Sequence, residues 1–279
     1  MGSRLRDALV QDGWRVRVAA RRPRPGDDAV SWSLGRELPQ GSWDGVEALV
    51  HCAYDMTVRD PADVQRVNVD GSRLLLRSAA AAGVHRIVFI SSMSAYPGTT
   101  QVYGRAKLAI EEEVLRLHGI SVRPGLIWGD DPGGMVGALL ALSRLPVVPV
   151  LRGTAKQFPV HEDDVTRTLL RLLDTRMLPP GVVGLAQPQA VPFEELLRAL
   201  AAREGRRVRA VPVPWRLLHL VLRAAELLRV PLPVRADSLL GLVRPAGSVP
   251  LHPSLPDVPQ TLRTFPSLPV DHVWGRRDA

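Results

Sequence analysis

The run Arg86-Ile87-Val88-Phe89-Ile90 is apolar and rich in β-branched residues, with no polar alternation. Such a run predicts a strand buried on both faces. It ends in Ser91-Ser92-Met93-Ser94-Ala95-Tyr96-Pro97-Gly98, a hydroxyl-rich turn. The Ala-, Leu- and Glu-rich stretch that opens at Val102-Tyr103-Gly104-Arg105-Ala106-Lys107 predicts a helix. Residues 3–12 predict another helix and residues 14–20 a strand. Residues 193–204 form an amphipathic helical pattern, and residues 215–228 a very apolar one. Residues 245–269 are proline-rich with few periodic signals, which predicts an extended, loop-like tail.

On the predicted helix, Tyr103 and Lys107 are four residues apart, so their side chains share a face. Lysine is scarce here: Lys107 and Lys156 are the two lysines among 36 basic residues. A nearby ammonium favours the ionised form of a phenol, whose reference pKa is about 10. A Tyr assisted by a Lys is therefore a candidate proton-transfer group. Short spacing alone is a weak signal. The strand with serines at its carboxyl end, directly upstream, strengthens it, because ligands of open α/β sheets sit at that end.

With 279 residues and 46% apolar content, the chain can form one large α/β domain or a domain plus a small lobe. The net charge of +8 is carried by scattered arginines without interleaved aromatics, so no nucleic-acid partner is expected. It suits a phosphate-bearing cofactor or substrate. Cys52 is the single cysteine and is expected to pack as a small hydrophobe in a buried strand. The first residues lack the apolar core of a signal peptide, and no uncharged apolar run reaches the roughly 20 residues of a membrane span. A cytoplasmic protein without membrane insertion is expected, with a small-molecule substrate and a homodimer as its assembly.

The strand, S-S-x-S-A-Y and Y-G-R-A-K pattern resembles the short-chain dehydrogenase/reductase superfamily, in particular its extended NAD-dependent epimerase/dehydratase branch. Other segments match in the family's order. Ala48 to Ala53 is similar to its V-I-H-x-A strand, Asn68 to Ser72 to its N-V-x-G-T helix start, Ser121 to Gly129 to its R-P-x-x-V-Y-G strand, and Phe158 to Val165 to its F-x-x-V-x-D-V segment. The resemblance implies a Rossmann-like doubly wound parallel sheet, an NAD(P)-binding domain over residues 1–175, and a substrate lobe with the proline-rich tail over 176–279. Residues 215–228 would then wall the lobe. A membrane-surface helix is the competing reading, disfavoured because His219, Arg223 and Glu226 interrupt the apolar character.

The resemblance also exposes a gap. In the family a first strand and a glycine-rich G-x-x-G-x-x-G turn precede the first helix, and that strand lies at the centre of the 3-2-1-4-5 order. Here only the last glycine has a counterpart, Gly2. The strands near Val18 and Val50 should each lack a neighbour. Either the encoded product starts about ten to twelve residues earlier, or the chain is truncated and has lost cofactor binding.

By the resemblance, Ser92, Tyr103 and Lys107 are the catalytic residues. Tyr103 is the general acid/base, Lys107 lowers its pKa and holds the nicotinamide ribose, and Ser92 binds the substrate oxygen, with Ser91 or Ser94 as alternatives. Gly2, Arg21, Arg22, Ala53, Tyr103, Lys107 and Pro124 would bind the cofactor. After the second family strand, where NAD-preferring members carry an acid, Arg21, Arg22 and Arg24 stand instead, which favours NADP over NAD. Leu34-Gly35-Arg36 replaces the adenine-contacting Asp. Met93-Ser94 stands where 4,6-dehydratases carry Asp-Glu, so a reductase or epimerase is expected, with nucleotide sugars among the substrates; the short Ser92–Tyr103 spacing tilts toward a reductase. The alternative is a non-catalytic nucleotide sensor or scaffold. No metal is expected: His161-Glu162-Asp163-Asp164 reads as a strand-to-helix junction whose acids favour the helix dipole. His51 reads as a packed histidine, and Glu111, Glu112 and Glu113 as a solvated face.

Overall fold

The computed structural model describes residues 1–279 except 131–132, 146, 152–155, 176–178, 229, 231–235, 244–246, 256–257 and 267–279. The first half alternates helix and strand: α1 (Gly2–Gln11), β1 (Arg17–Ala20), β2 (Asp28–Ser31) and β3 (Ala48–His51). A short α2 (Pro61–Asp63) continues through a π-helical stretch (Val64–Asp70) into α3 (Gly71–Ala81). Then come β4 (Arg86–Ile90), α4 (Val102–Arg116), β5 (Ile120–Pro124) and β6 (Leu126–Trp128). The second half holds α5 (Gly134–Leu142), β7 (Val147–Leu151), β8 (Lys156–Gln157), β9 (Pro159–His161), α6 (Glu162–Asp174) and β10 (Gly181–Leu185). It closes with β11 (Val191–Pro192), α7 (Phe193–Arg203), β12 (Arg209–Val213), α8 (Trp215–Leu227) and α9 (Ala236–Val243).

The main sheet is parallel, in the order β10-β5-β4-β3. Its strand β4 is apolar and buried from Ile87 to Ile90 because helices cover both faces. Val88 and Ile90 join the core with Leu5 and Leu9 of α1 and Val165 and Leu169 of α6. Ile87 and Phe89 point the other way, against Leu76 of α3 and Ile110 and Val114 of α4. This alternation is what a strand's period of two dictates. A separate core joins α5, β7, α7, α8 and α9 around Leu139, Val150, Leu196, Leu200, Leu222 and Leu239. The division drawn at residue 175 interleaves in space: β10 pairs with β5 in the main sheet, while α5 and β7 lie before that point and pack into the second core.

Among the described residues β1 pairs only with β2, in a two-stranded parallel sheet. Between this ribbon and β3 lies a cavity of about 1220 Å³, lined by Leu5, Leu9, Val16, Val18, Val50 and Cys52 among others. Among the described residues, no strand lies between the facing edges of β1 and β3. The consequence is visible in burial: Val88 is 1% exposed at the sheet centre, whereas Ala48, Leu49 and Val50 of β3 are all partly exposed. Cys52, placed in a buried strand by its sequence, lies just past β3 and is half-buried on this cavity. Its thiol is pushed up to about 11 by burial.

Three further expectations are revised. The helix expected to start near Asn68 begins earlier, and Asn68 sits buried in the π-helical stretch. There it accepts a hydrogen bond from the Asp55 N–H (2.7 Å) and donates one to the Asp55 carbonyl (3.2 Å), clamping the loop after β3. Glu111 and Glu113 are buried, and only Glu112 is solvated. Glu113 pairs with Arg77 at 2.7 Å and Glu111 with Arg123 at 2.6 Å, because arginines distant in sequence neutralise them. The described part of the tail is docked: Leu255 and Val258 enter the main core, Phe265 the second core, and the Arg263 N–H donates to Asp164 at 2.6 Å.

Candidate active site

The carboxyl ends of the parallel strands β3, β4 and β5 place Ala53, Ser91-Ser92 and Pro124 along one edge of the sheet. The serine turn is pinned to that edge. The Ser91 N–H donates to the Val122 carbonyl (2.7 Å), and the Met93 N–H to the Pro124 carbonyl (3.0 Å). Gly104 lets α4 approach the turn: a Cβ there would lie 2.3 Å from the Ser94 carbonyl oxygen. Beside that contact, Tyr103 meets the serines.

The three serines are sorted by their partners. Ser91 is buried, and its hydroxyl donates to the Glu111 carboxylate, which also holds Arg123. Ser94 uses its N–H to donate to Ser92 Oγ at 3.1 Å. Ser92 lies beside Tyr103, and its hydroxyl draws the phenol pKa down. Crowding by surrounding protein outweighs this and pushes Tyr103 up to about 12, although the residue keeps some solvent exposure.

Lys107 is buried, and its Nζ donates to the Ile90 carbonyl at 2.8 Å. It lies 4.6, 5.0 and 5.7 Å from the ring centroids of Phe89, Tyr54 and Tyr103. Desolvation lowers it to about 8, against the pull of Cys52 and Glu111. Lys107 was expected to lower the Tyr103 pKa. In this structure its ammonium is held by a backbone carbonyl, and burial, the dominant influence on Tyr103, acts in the opposite direction. Tyr54 bridges the two regions: it meets Tyr103 edge-on at 5.0 Å and lines the cavity beside β3.

The other predicted residues divide. Gly2, Arg21, Arg22 and Ala53 all line the cavity. Gly2 opens α1, whose first turn carries no acid, so its positive end is not neutralised locally. Arg21 is exposed and lies 3.6 Å from Asp55. Arg22 is exposed. Pro124 is buried at the end of β5, away from the cavity lining. His51 is buried, bonded to Ser72 Oγ at 2.8 Å and stacked on Phe89; desolvation and the Lys107 charge lower it to about 3.

The acids at 162–164 are engaged by arginines. Glu162 and Asp163 each hold Arg4 at 2.7 Å, and Asp164 holds Arg167 at 2.9 Å. Asp237 of α9 was not anticipated. Its carboxylate accepts the Val102 N–H at 3.2 Å, and its carbonyl accepts from Gln101 at 2.8 Å. It thereby caps the helix that carries Tyr103 from 135 residues away, a contact no local pattern signals.

A model of the NAD dependent epimerase/dehydratase family matches residues 1–184. The chain belongs to this family. Among its relatives in the epimerase/dehydratase family is the ceramide reductase of Caulobacter vibrioides (strain NA1000 / CB15N), 31% identical over 227 residues, covering 77% of this chain and 70% of the relative. The 2'-dehydrokanamycin reductase of Streptomyces kanamyceticus is 30% identical over 233 residues, covering 74% of this chain and 59% of the relative. Among solved structures, MoeE5 in complex with UDP-glucose and NAD superposes with a TM-score of 0.65 at 24% identity, covering 76% of this chain and 82% of that one. At that identity the likeness shows the Rossmann-like fold shared across the family.

Proposed function

We propose that this protein is a nicotinamide-dependent reductase that converts a carbonyl carbon to a carbinol, with Tyr103 as proton donor. The observation that carries this reading is the meeting of Tyr103 and Lys107 at the serine-bearing end of β4, with the Lys107 Nζ on the Ile90 carbonyl and 5.7 Å from the Tyr103 ring. Two relatives at 30% identity or more are named reductases, which favours reduction over epimerisation. MoeE5 holds NAD, and the family name carries the same cofactor.

The residues at the strand ends fit the nicotinamide-ribose half of such a cofactor, which supplies the hydride when bound. Lys107 holds ribose hydroxyls, while Ala53 and Pro124 offer backbone at the same sheet edge. At the other half, Arg21 and Arg22 favour a 2′-phosphate and hence NADP over NAD. The N-terminus of α1 at Gly2 attracts the pyrophosphate.

Each residue has a defined task. Tyr103, with a pKa near 12, keeps its proton at neutral pH and is therefore poised to donate it to the carbonyl oxygen as charge develops there. Ser92 Oγ hydrogen-bonds the same oxygen. Lys107, near 8, remains mostly protonated at neutral pH and stabilises the phenolate left behind.

A second reading, nucleotide sensing or scaffolding without turnover, is favoured by the cavity between β1 and β3, which opens the sheet beside Gly2. Titrating NADPH and following its oxidation with long-chain ketones separates the two. The reductase reading predicts turnover that falls about 100-fold or more in Tyr103→Phe, with dinucleotide affinity retained. Binding without turnover of any ketone supports the second reading.

A further inference from the structure

Helix α8 is apolar on two opposite sides. One side, with Leu222, Trp215 and Leu218, packs into the second core. The other carries Leu217, Leu220, Val221, Leu227 and Leu228 as one stripe at helical spacing. These side chains are open to solvent: Leu220 is 66% exposed, Leu227 84% and Leu228 77%. A row of large aliphatic side chains left uncovered is an interaction surface.

The charges around the stripe have one sign. At 100° per residue, Arg216 and Arg223 lie along the same border of it, and both are exposed. Arg206 and Arg209, just ahead of the helix, are exposed as well. None of Arg206, Arg209, Arg216 and Arg223 pairs with an acid among the described residues. Glu226, the one acid on the helix, is turned away and accepts the Ala236 N–H at 3.0 Å. An aliphatic stripe bordered by arginine complements an anionic bilayer surface. A second copy docking through the same stripe about a two-fold axis would bring like-charged borders together.

We propose that the outer face of α8 docks the protein on an anionic membrane surface, and that its substrate is a carbonyl-bearing lipid drawn from that surface. The lipid part rests on the reductase reading above; the docking part does not. The helix lies in the interface, since no helix among the described residues is long and apolar enough to cross a membrane. A relative that acts on ceramide, a bilayer lipid, fits this placement. The docked helix is also linked to the reacting end. Glu226 of α8 holds the first residue of α9, and Asp237 of α9 caps the helix that begins one residue before Tyr103.

The test is flotation of the full chain with vesicles of phosphatidylcholine alone or with 30% phosphatidylglycerol, paired with sedimentation velocity. The expected result is binding to the anionic vesicles that weakens in high salt. Arg216→Gln with Arg223→Gln should lower it about fivefold per arginine, and Leu220→Glu with Leu227→Glu should abolish it. Because these residues are exposed, melting should be unchanged. Turnover of a water-soluble ketone should survive Leu220→Glu with Leu227→Glu, while turnover of a vesicle-borne lipid ketone falls. Absence of vesicle binding, equal binding by the leucine variant, or a dimer that this variant dissolves would each overturn the docking site. Vesicle binding with no reduction of a lipid ketone, alongside reduction of soluble ketones, would overturn the lipid substrate alone. Loss of all turnover with docking intact would instead overturn the reductase reading.

Discussion

The two sides of β3 differ sharply. On the β4 side, the surroundings of Ser92, Tyr103 and Lys107 are held by direct contacts: Lys107 on the Ile90 carbonyl, Ser92 Oγ on the Ser94 N–H, and the helix start on Asp237. On the β1 side, half-exposed apolar strands face a cavity of about 1220 Å³, and the arginines on its rim are exposed. The contacts that hold Lys107 and the start of α4 come from β4 and α9, so they stand without the β1 side.

Breaking the complete side should have the largest effect. Tyr103→Phe removes the proton donor without removing the ring that packs on Tyr54. Reduction should fall about 100- to 10,000-fold while the far-ultraviolet dichroism stays unchanged. Filling the open side should come next. An extension ahead of Gly2 carrying five apolar residues and a glycine-rich turn is expected to join β1 to β3. Melting should then rise by roughly 10 °C, and dinucleotide affinity should rise with it. Equal melting with and without the extension would show that the cavity does not accept a strand.

The buried pair behind the serines gives a smaller effect. Arg123→Met leaves the Glu111 carboxylate buried with only Ser91 as partner. It should cost about 3 kcal/mol in urea unfolding, whereas Arg66→Met, at an exposed pair with Asp63, should cost under about 1 kcal/mol. The smallest effect concerns pH. His51 is held neutral, with a folded pKa near 3 against 6.5 in the unfolded chain. The unfolded state therefore binds the extra proton between these values, and stability declines as pH falls from about 6.5 toward 3. His51→Gln should flatten that decline by a few kcal/mol at most. A decline of the same slope in the variant would assign it to the carboxylates instead.

What was legible in the sequence was local or topological. The β-branched run of β4, the four-residue spacing of Tyr103 and Lys107, and the amphipathic helices each follow a period that one segment carries by itself. The parallel sheet was also legible, through the order in which the family-like segments at Ala48, Asn68 and Ser121 follow one another. The illegible features all join distant residues. Glu111 and Glu113 look solvated until Arg123, Arg77 and the packing of α3 on α4 are known. Asp237 shows nothing in its own segment of its hold on Val102, and the tail looked extended until Arg263 met Asp164. The outer face of α8 adds a feature of the same kind. Its interrupting residues are resolved only in three dimensions, where Glu226 turns inward and Arg223 borders the stripe.

The proposed reduction requires that the Ser92, Tyr103 and Lys107 side be chemically competent. It is tested most directly by single-turnover oxidation of bound NADPH by a long-chain ketone, in protein carrying the strand extension, with Tyr103 intact or replaced by Phe. Rapid oxidation is expected in the first and a rate at least about 100-fold slower in the second, with equal dinucleotide binding. Equal rates in the two proteins, or no oxidation in either with dinucleotide bound, would contradict it.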